Sequence, residues 1–136
     1  MAGSSVTQTV ESRGPVGVIT LTATGDDADG SFPETVLTPK ISGRLLALET
    51  NPGSPAPTTN YDIVLDDAEG HDVLEGVGGN LSATLTEKSA VVNSGTDVNP
   101  AVAKSDALTL KITGNVVNSA ILVAKIYFLG EAEGGD

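Results

Sequence analysis

Cysteine is absent from these 136 residues, so no disulfide, no thiolate nucleophile and no cysteine-based zinc site is available. Stability must come from packing alone. Basic residues are scarce as well: 7 Lys and Arg are scattered among 18 Asp and Glu, for a net charge of −11. Phosphate recognition needs a clustered basic footprint, which makes nucleic acid and anionic membranes poor candidates as partners. What the charge supplies is solubility and mutual repulsion. Aromatic residues make up 3% of the chain, which leaves little for the stacking platform of a carbohydrate site. Long apolar runs are missing too. The run at residues 120–129 is far too short to span a bilayer. The N-terminus carries neither the basic segment nor the apolar stretch of a signal peptide, so synthesis in a cytosol is expected.

What is present is a β-forming composition. Val and Thr are abundant, and 16 Gly and 7 Pro punctuate short apolar runs, which favours an all-β chain with many turns over a helical bundle. A chain of this length makes one domain that buries roughly two-thirds of the surface its unfolded form exposes.

The organising stretch is residues 107–129. Leu108, Leu110 and Ile112 alternate with Thr109, Lys111 and Thr113, the period of a half-buried strand. Gly114 and Asn115 tolerate the positive φ of a tight turn and predict a hairpin there. The run that follows is apolar on both faces: Ala120, Leu122, Ala124, Ile126 and Phe128 alternate with Ile121, Val123, Tyr127 and Leu129, with Lys125 on the second face. A sandwich buries only one of these sets internally. The other set, Ile121, Val123, Tyr127 and Leu129, is therefore the candidate oligomer interface.

Elsewhere, residues 1–15 are polar with only Val6 and Val10 as apolar anchors, and read as an extended N-terminal arm; an arm that orders on a neighbour would contact it through these two valines. Residues 16–24 alternate as a strand, ended by an Asp- and Gly-rich turn at 25–31. Pro33 and Pro39 make residues 32–40 an extended connection or an edge. Residues 41–49 read as a strand, and residues 51–57 as a proline-rich loop. Residues 61–66 alternate strictly, residues 67–70 turn, and residues 71–74 look like a short return strand. A bend at 76–80 and a segment at 81–88 with no clean period lead towards the last strands, and residues 131–136 form an acidic tail. About eight short strands at this spacing predict a single antiparallel β-sandwich of the jelly-roll type over residues 16–130.

The chemistry on offer is thin. Two acidic turns, with Asp26, Asp27 and Asp29 in one and Asp66, Asp67, Glu69 and Asp72 in the other, are formal calcium candidates. An EF-hand register with Gly30 or Gly70 at its sixth position would put Gly25 or Leu65 at the first ligand position, so neither fits. No metal and no cofactor is expected. His71 is the sole histidine, and no serine lies in a Gly-x-Ser-x-Gly elbow, so no catalytic residue is expected. Residues 76–79 are glycine-rich but lack the Lys-Ser/Thr ending and the positive field of a phosphate loop.

Residues 56–74 (APTTNYDIVLDDAEGHDVL) and 76–80 (GVGGN), together with the closing segments LTLKITGN at 108–115 and AKIYF at 124–128, resemble small virion proteins of tailed bacteriophages. The resemblance covers roughly residues 56–129 and is one of strand and turn pattern. It implies a β-sandwich or jelly-roll accessory subunit, such as a head decoration (cement) protein that sits as a homotrimer on the outer capsid face and has the major capsid protein as its partner. It further implies a virion location after synthesis in a bacterial cytoplasm. Another virion subunit, of tail or neck, is the nearest alternative; a glycan-binding β-sandwich module is the alternative of a different class.

Overall fold

A computed structural model describes residues 4–13, 15–37, 40–91, 101–106 and 108–133. Its strands are β1 (Ser5–Arg13), β2 (Val16–Thr24), β3 (Thr35–Val36), β4 (Lys40–Pro52), β5 (Asp62–Asp66), β6 (Glu87–Ala90), β7 (Ala101–Asp106), β8 (Thr109–Thr113) and β9 (Ile121–Glu133), and the described residues include no helix. The large sheet runs β1-β2-β9-β4-β6, with β7 also paired to β4, and the small sheet runs β3-β8-β5. Every pairing is antiparallel. The all-β, two-sheet expectation holds. The order, six strands against three, does not support the finer expectation of a jelly roll, which divides eight strands between two sheets.

Alternation sorts the side chains. Ile19, Leu21 and Ala23 of β2, Leu122, Ala124, Ile126 and Phe128 of β9 and Leu45 and Leu48 of β4 are buried on the inner face of the large sheet. Ile63 and Leu65 of β5 and Leu110 and Ile112 of β8 come from the small sheet into the same core. At the register pair Gly17↔Phe128 the ring lies over the glycine: a Cβ on Gly17 would sit 2.2 Å from the ring. Only glycine leaves the aromatic room to stay against the sheet.

Several expectations are corrected. Residues 5–13 are a strand rather than a loose arm, paired with β2 from Ser5↔Thr24 to Arg13↔Val16. Val6 and Val10 lie opposite Ala23 and Ile19 and pack, partly buried, on the chain's own core. Two valines suffice because an edge strand draws its hydrogen bonds from β2 and covers only the margin of the core. The acidic tail shortens, since β9 continues to Glu133, whose backbone is in register with Lys40 of β4; residues 134–136 lie outside the described residues. Residues 71–74 form no return strand: a single bridge, Asp66↔Asp72, precedes a series of turns. β4 extends through Asn51 and Pro52, beyond the expected strand end. The segment with no clean period becomes β6 from Glu87 onward, and residues 92–100 lie outside the described residues.

The hairpin expected at Gly114 and Asn115 is a change of sheet. β8 belongs to the small sheet and β9 to the large one, so residues 114–120 carry the chain across the sandwich edge. Asn115 is buried there. Its Nδ2 donates to the Gly30 carbonyl (2.6 Å) and the Val117 carbonyl (3.0 Å), while its Oδ1 accepts from the Thr58 N–H (2.9 Å) and the Val117 N–H (3.1 Å). Gly114 (φ 85°) supplies the left-handed bend that starts the crossing. Asn115→Asp keeps the acceptor but aims a carboxylate at two carbonyls. The expected loss is about 2 to 4 kcal/mol, seen as a lower urea midpoint at unchanged m-value.

Candidate functional site

The outer face of the large sheet is the surface the fold leaves open for contact. Along β9 the buried set is Leu122, Ala124, Ile126 and Phe128; Ile121, Val123, Lys125 and Tyr127 are half-buried on the other face and Leu129 is 40% exposed. The sequence-predicted interface residues therefore share one outward stripe. Neighbouring strands set its character. On the β2 side the partners are Val16 (36% exposed), Val18, Thr20, Thr22 and Thr24, opposite Leu129, Tyr127, Lys125, Val123 and Ile121 in turn. On the other side, β4 contributes Asn51 opposite Val123 and Glu49 opposite Lys125.

Tyr127 divides the stripe. Its hydroxyl donates to Glu49 Oε1 at 2.8 Å, and Lys88 Nζ lies 4.3 Å from the ring centroid. Lys88 and Glu49 are register partners of β6 and β4, so one ladder rung delivers both groups to the ring. The hydrogen bond to Glu49, helped by burial and by the nearby carboxylate charge, raises the phenol's pKa above 10.0. Neither Glu49 nor Lys88 is legible as a partner of Tyr127 from the sequence, because both contacts follow from strand order. The arrangement offers an apolar stripe with a fixed polar centre and carries no paired nucleophile and base.

In the acidic turns Asp26, Asp29, Asp67 and Asp72 are engaged by backbone N–H groups. Asp26 Oδ1 accepts the N–H groups of Ala28 (2.7 Å) and Asp29 (3.1 Å), and Asp29 Oδ1 accepts the Ser31 N–H (2.9 Å) and hydroxyl (2.7 Å). The Ser31 backbone donor, followed by its hydroxyl, holds the Asp29 carboxyl below its ordinary pKa. In the second turn Asp67 Oδ1 accepts from the Glu69 and His71 N–H groups (2.9 and 3.0 Å), and Asp72 Oδ1 accepts from Leu65 and Leu74 (3.1 and 3.0 Å). Asp66 pairs with Lys111 at 2.9 Å, which raises the lysine's pKa. The bonds from Asp26 to Ala28, Asp29 to Ser31, Asp67 to Glu69 and Asp72 to Leu74 are Asx-type turn closures. Among the described residues no three acid, His or Cys side chains converge as a metal group. Adding calcium or EDTA is accordingly expected to leave the melting temperature unchanged.

His71 sits at the tip of the second turn, its Nε2 2.5 Å from Glu75 Oε2, with its side chain 61% exposed. Among the described residues no serine hydroxyl is its hydrogen-bond partner. A second surface feature, a cleft of about 300 Å³, opens beside β8 between residues 30–34 and 111–115. Compared with family models, with curated proteins and with solved structures, the chain matches none.

The hydrogen bond to Glu75, then the carboxylate charges around it, hold the His71 pKa above 6.5. A group whose pKa is raised by folding contributes stability that is fully present below the unfolded pKa and is lost as pH rises through the folded one. An NMR titration of the imidazole is expected to place its midpoint above 6.5, and Glu75→Gln to bring it back towards that value.

Proposed function

We propose that this protein is a non-enzymatic capsid decoration (cement) protein of a tailed bacteriophage, bound as a homotrimer to the outer head surface, where it stabilises the shell formed by the major capsid protein. The observation that carries this reading is the outward stripe of β9, a contact surface without catalytic groups, placed in a chain whose segments 56–80 and 108–128 resemble such virion proteins. A subunit that binds the closed shell and not the opened one shifts the equilibrium towards the closed form by mass action. Contact burial supplies the free energy. Each apolar side chain is worth about 1.5 to 3 kcal/mol when fully taken from water, and less in this stripe, whose members are already partly covered. Three or four such residues repeated around a symmetry axis are enough to offset part of the association entropy and the repulsion between acidic subunits. The trimeric number comes from the resemblance.

Shells stripped of the protein are expected to rebind it and regain resistance to heat. Val123→Asp places a charge on the half-buried outer face without touching the core. It is expected to turn the trimer into a monomer by native mass spectrometry with an unchanged circular dichroism spectrum. Finding the protein only in tail fractions would replace this reading with that of a tail or neck subunit, and selective binding to purified glycans would replace it with that of a glycan module.

A further inference from the structure

The cleft beside β8 is an interrupted sheet. β3 pairs with β8 at Thr35↔Leu110 and Val36↔Thr109, and the Leu37 N–H donates to the Leu108 carbonyl at 2.8 Å. In an antiparallel ladder alternate residues direct both backbone groups to the same side, so Leu108, Leu110 and Ile112 all face β3. The opposite strand agrees, because Ile63, across from Ile112, sends its N–H away from β8 to the Gly78 carbonyl at 2.7 Å. Continued by two residues, the register would set Glu34 opposite Lys111 and Pro33 opposite Ile112. Proline has no N–H to give, and β3 begins only at Thr35. At the far end the walls are rejoined by Asn115, whose Nδ2 holds the Gly30 carbonyl at 2.6 Å. Between these two closures lies the cleft of about 300 Å³. By the same parity the Ile112 N–H and C=O are directed to this side of β8, and Phe32 and Ile112, both otherwise buried, contribute to the walls of the cleft.

We propose that this cleft receives a short extended peptide segment that adds antiparallel to β8, takes up the Ile112 N–H and C=O, and carries a basic side chain towards Glu34. The free edge covers residues 111–114, about 13 Å at the rise of a strand, enough for three or four residues. Main-chain hydrogen bonds recognise the extended backbone, and side-chain preference comes from the walls. Opposite Ile112 the peptide side chain faces inward beside Phe32, which selects a small apolar residue. Opposite Lys111 it faces out. There Lys111 is already neutralised by Asp66 at 2.9 Å, leaving exposed Glu34 as the excess charge of the rim. That carboxylate, on a chain of net charge −11, selects a cation. On the decoration reading, on which this source rests, the segment belongs to the shell protein, and the cleft gives the contact direction and register that an apolar stripe lacks.

The test uses the full chain, labelled with nitrogen-15, and two blocked tetrapeptides, acetyl-Lys-Val-Lys-Val-amide and acetyl-Glu-Val-Glu-Val-amide. In the free protein the Ile112 amide is expected to exchange with solvent faster than that of Leu110. The lysine peptide, at up to about 10 mM as suits so short a segment, is expected to shift the Ile112 and Gly114 resonances and slow Ile112 exchange. It should bind roughly two- to fivefold more tightly than the glutamate peptide, as befits one exposed ion pair, and Glu34→Gln should erase that difference. Pro33→Val restores a donor opposite Ile112, lets β3 lengthen across the cleft, and is expected to abolish binding. An Ile112 amide already protected in the free protein, peptide shifts confined to the β1 edge, or equal binding by a folded Pro33→Val variant would each overturn the proposal. Should Pro33→Val not fold, the charge pair of peptides with Glu34→Gln decides alone. Peptide binding by a protein that stripped shells do not recruit would remove only the decoration reading; recruitment undiminished by Pro33→Val would remove only the shell protein as the source of the segment.

Discussion

One side-chain amide makes the change of sheet possible. Where β8 leaves the small sheet and β9 enters the large one, the backbone has no ladder to satisfy it, and buried N–H and C=O groups left unpaired are costly. Asn115 fills that gap with both ends of its carboxamide, drawing together the loops around Gly30, Thr58 and Val117. Backbone bonds then complete the junction: Gly25 N–H to the Ala120 carbonyl at 2.8 Å, Ser119 N–H to the Asp26 carbonyl at 3.1 Å, and Ile121 N–H to the Pro55 carbonyl at 2.8 Å. An aspartate offers no donors to the two carbonyls. The position of β9, and with it the face it turns outward, follows from this junction.

From there β9 runs as the centre of the large sheet between β2 and β4, and its length exceeds that of β2. The surplus continues beside β4 past the pair Gly43↔Gly130, where φ is 129° and 138°. A Cβ on Gly43 would lie 2.0 Å from the Leu129 carbonyl oxygen, so the two strands meet here at a spacing open only to glycine. The exposed Leu129 and its partner Val16 stand next to this glycine pair, at the end of the outward stripe.

Periodicity made the interior of the fold legible. The two-residue alternation at 16–24, 61–66, 108–113 and 120–129 marks strands whose inner residues are the observed core, and it sorted Ile121, Val123, Tyr127 and Leu129 from the buried set. It failed where a strand's reason to exist lies in another strand. β1 has two valines and would not stand alone, yet pairing with β2 from residue 5 to residue 13 makes it the sheet's edge. At residue 114 a Gly-Asn pair looks the same whether it closes a hairpin or starts a crossing; the difference lies in carbonyls from residues 30 and 117 that local sequence does not reveal. The contact of Lys88 and Glu49 with Tyr127 depends in the same way on β4 standing between β9 and β6. Pro33 was legible as the mark of an extended connection or an edge, but the open rung it leaves at Ile112 becomes visible only once the register of β3 on β8 is known.

The acidity of the chain resolves into two parts with different consequences. Asp26, Asp29, Asp67 and Asp72 close turns through backbone N–H groups at 2.7 to 3.1 Å, so their place in the sequence is explained by local geometry. Their charge nevertheless remains in the long-range field of the molecule. That field is screened over about 8 Å at physiological salt, beyond which copies of the chain scarcely repel one another and within which they do. A partner held at this surface therefore has to gain its free energy at contact range, by burial on the outer face of β9 or by backbone pairing at an open edge. Both of those surfaces lie away from the self-closed acidic turns in chemistry, since neither asks a turn carboxylate to release its N–H. At these two surfaces Lys88 is already engaged by the Tyr127 ring and Lys111 by Asp66. A basic group brought by a partner is thus the complement that the chain's own composition leaves room for.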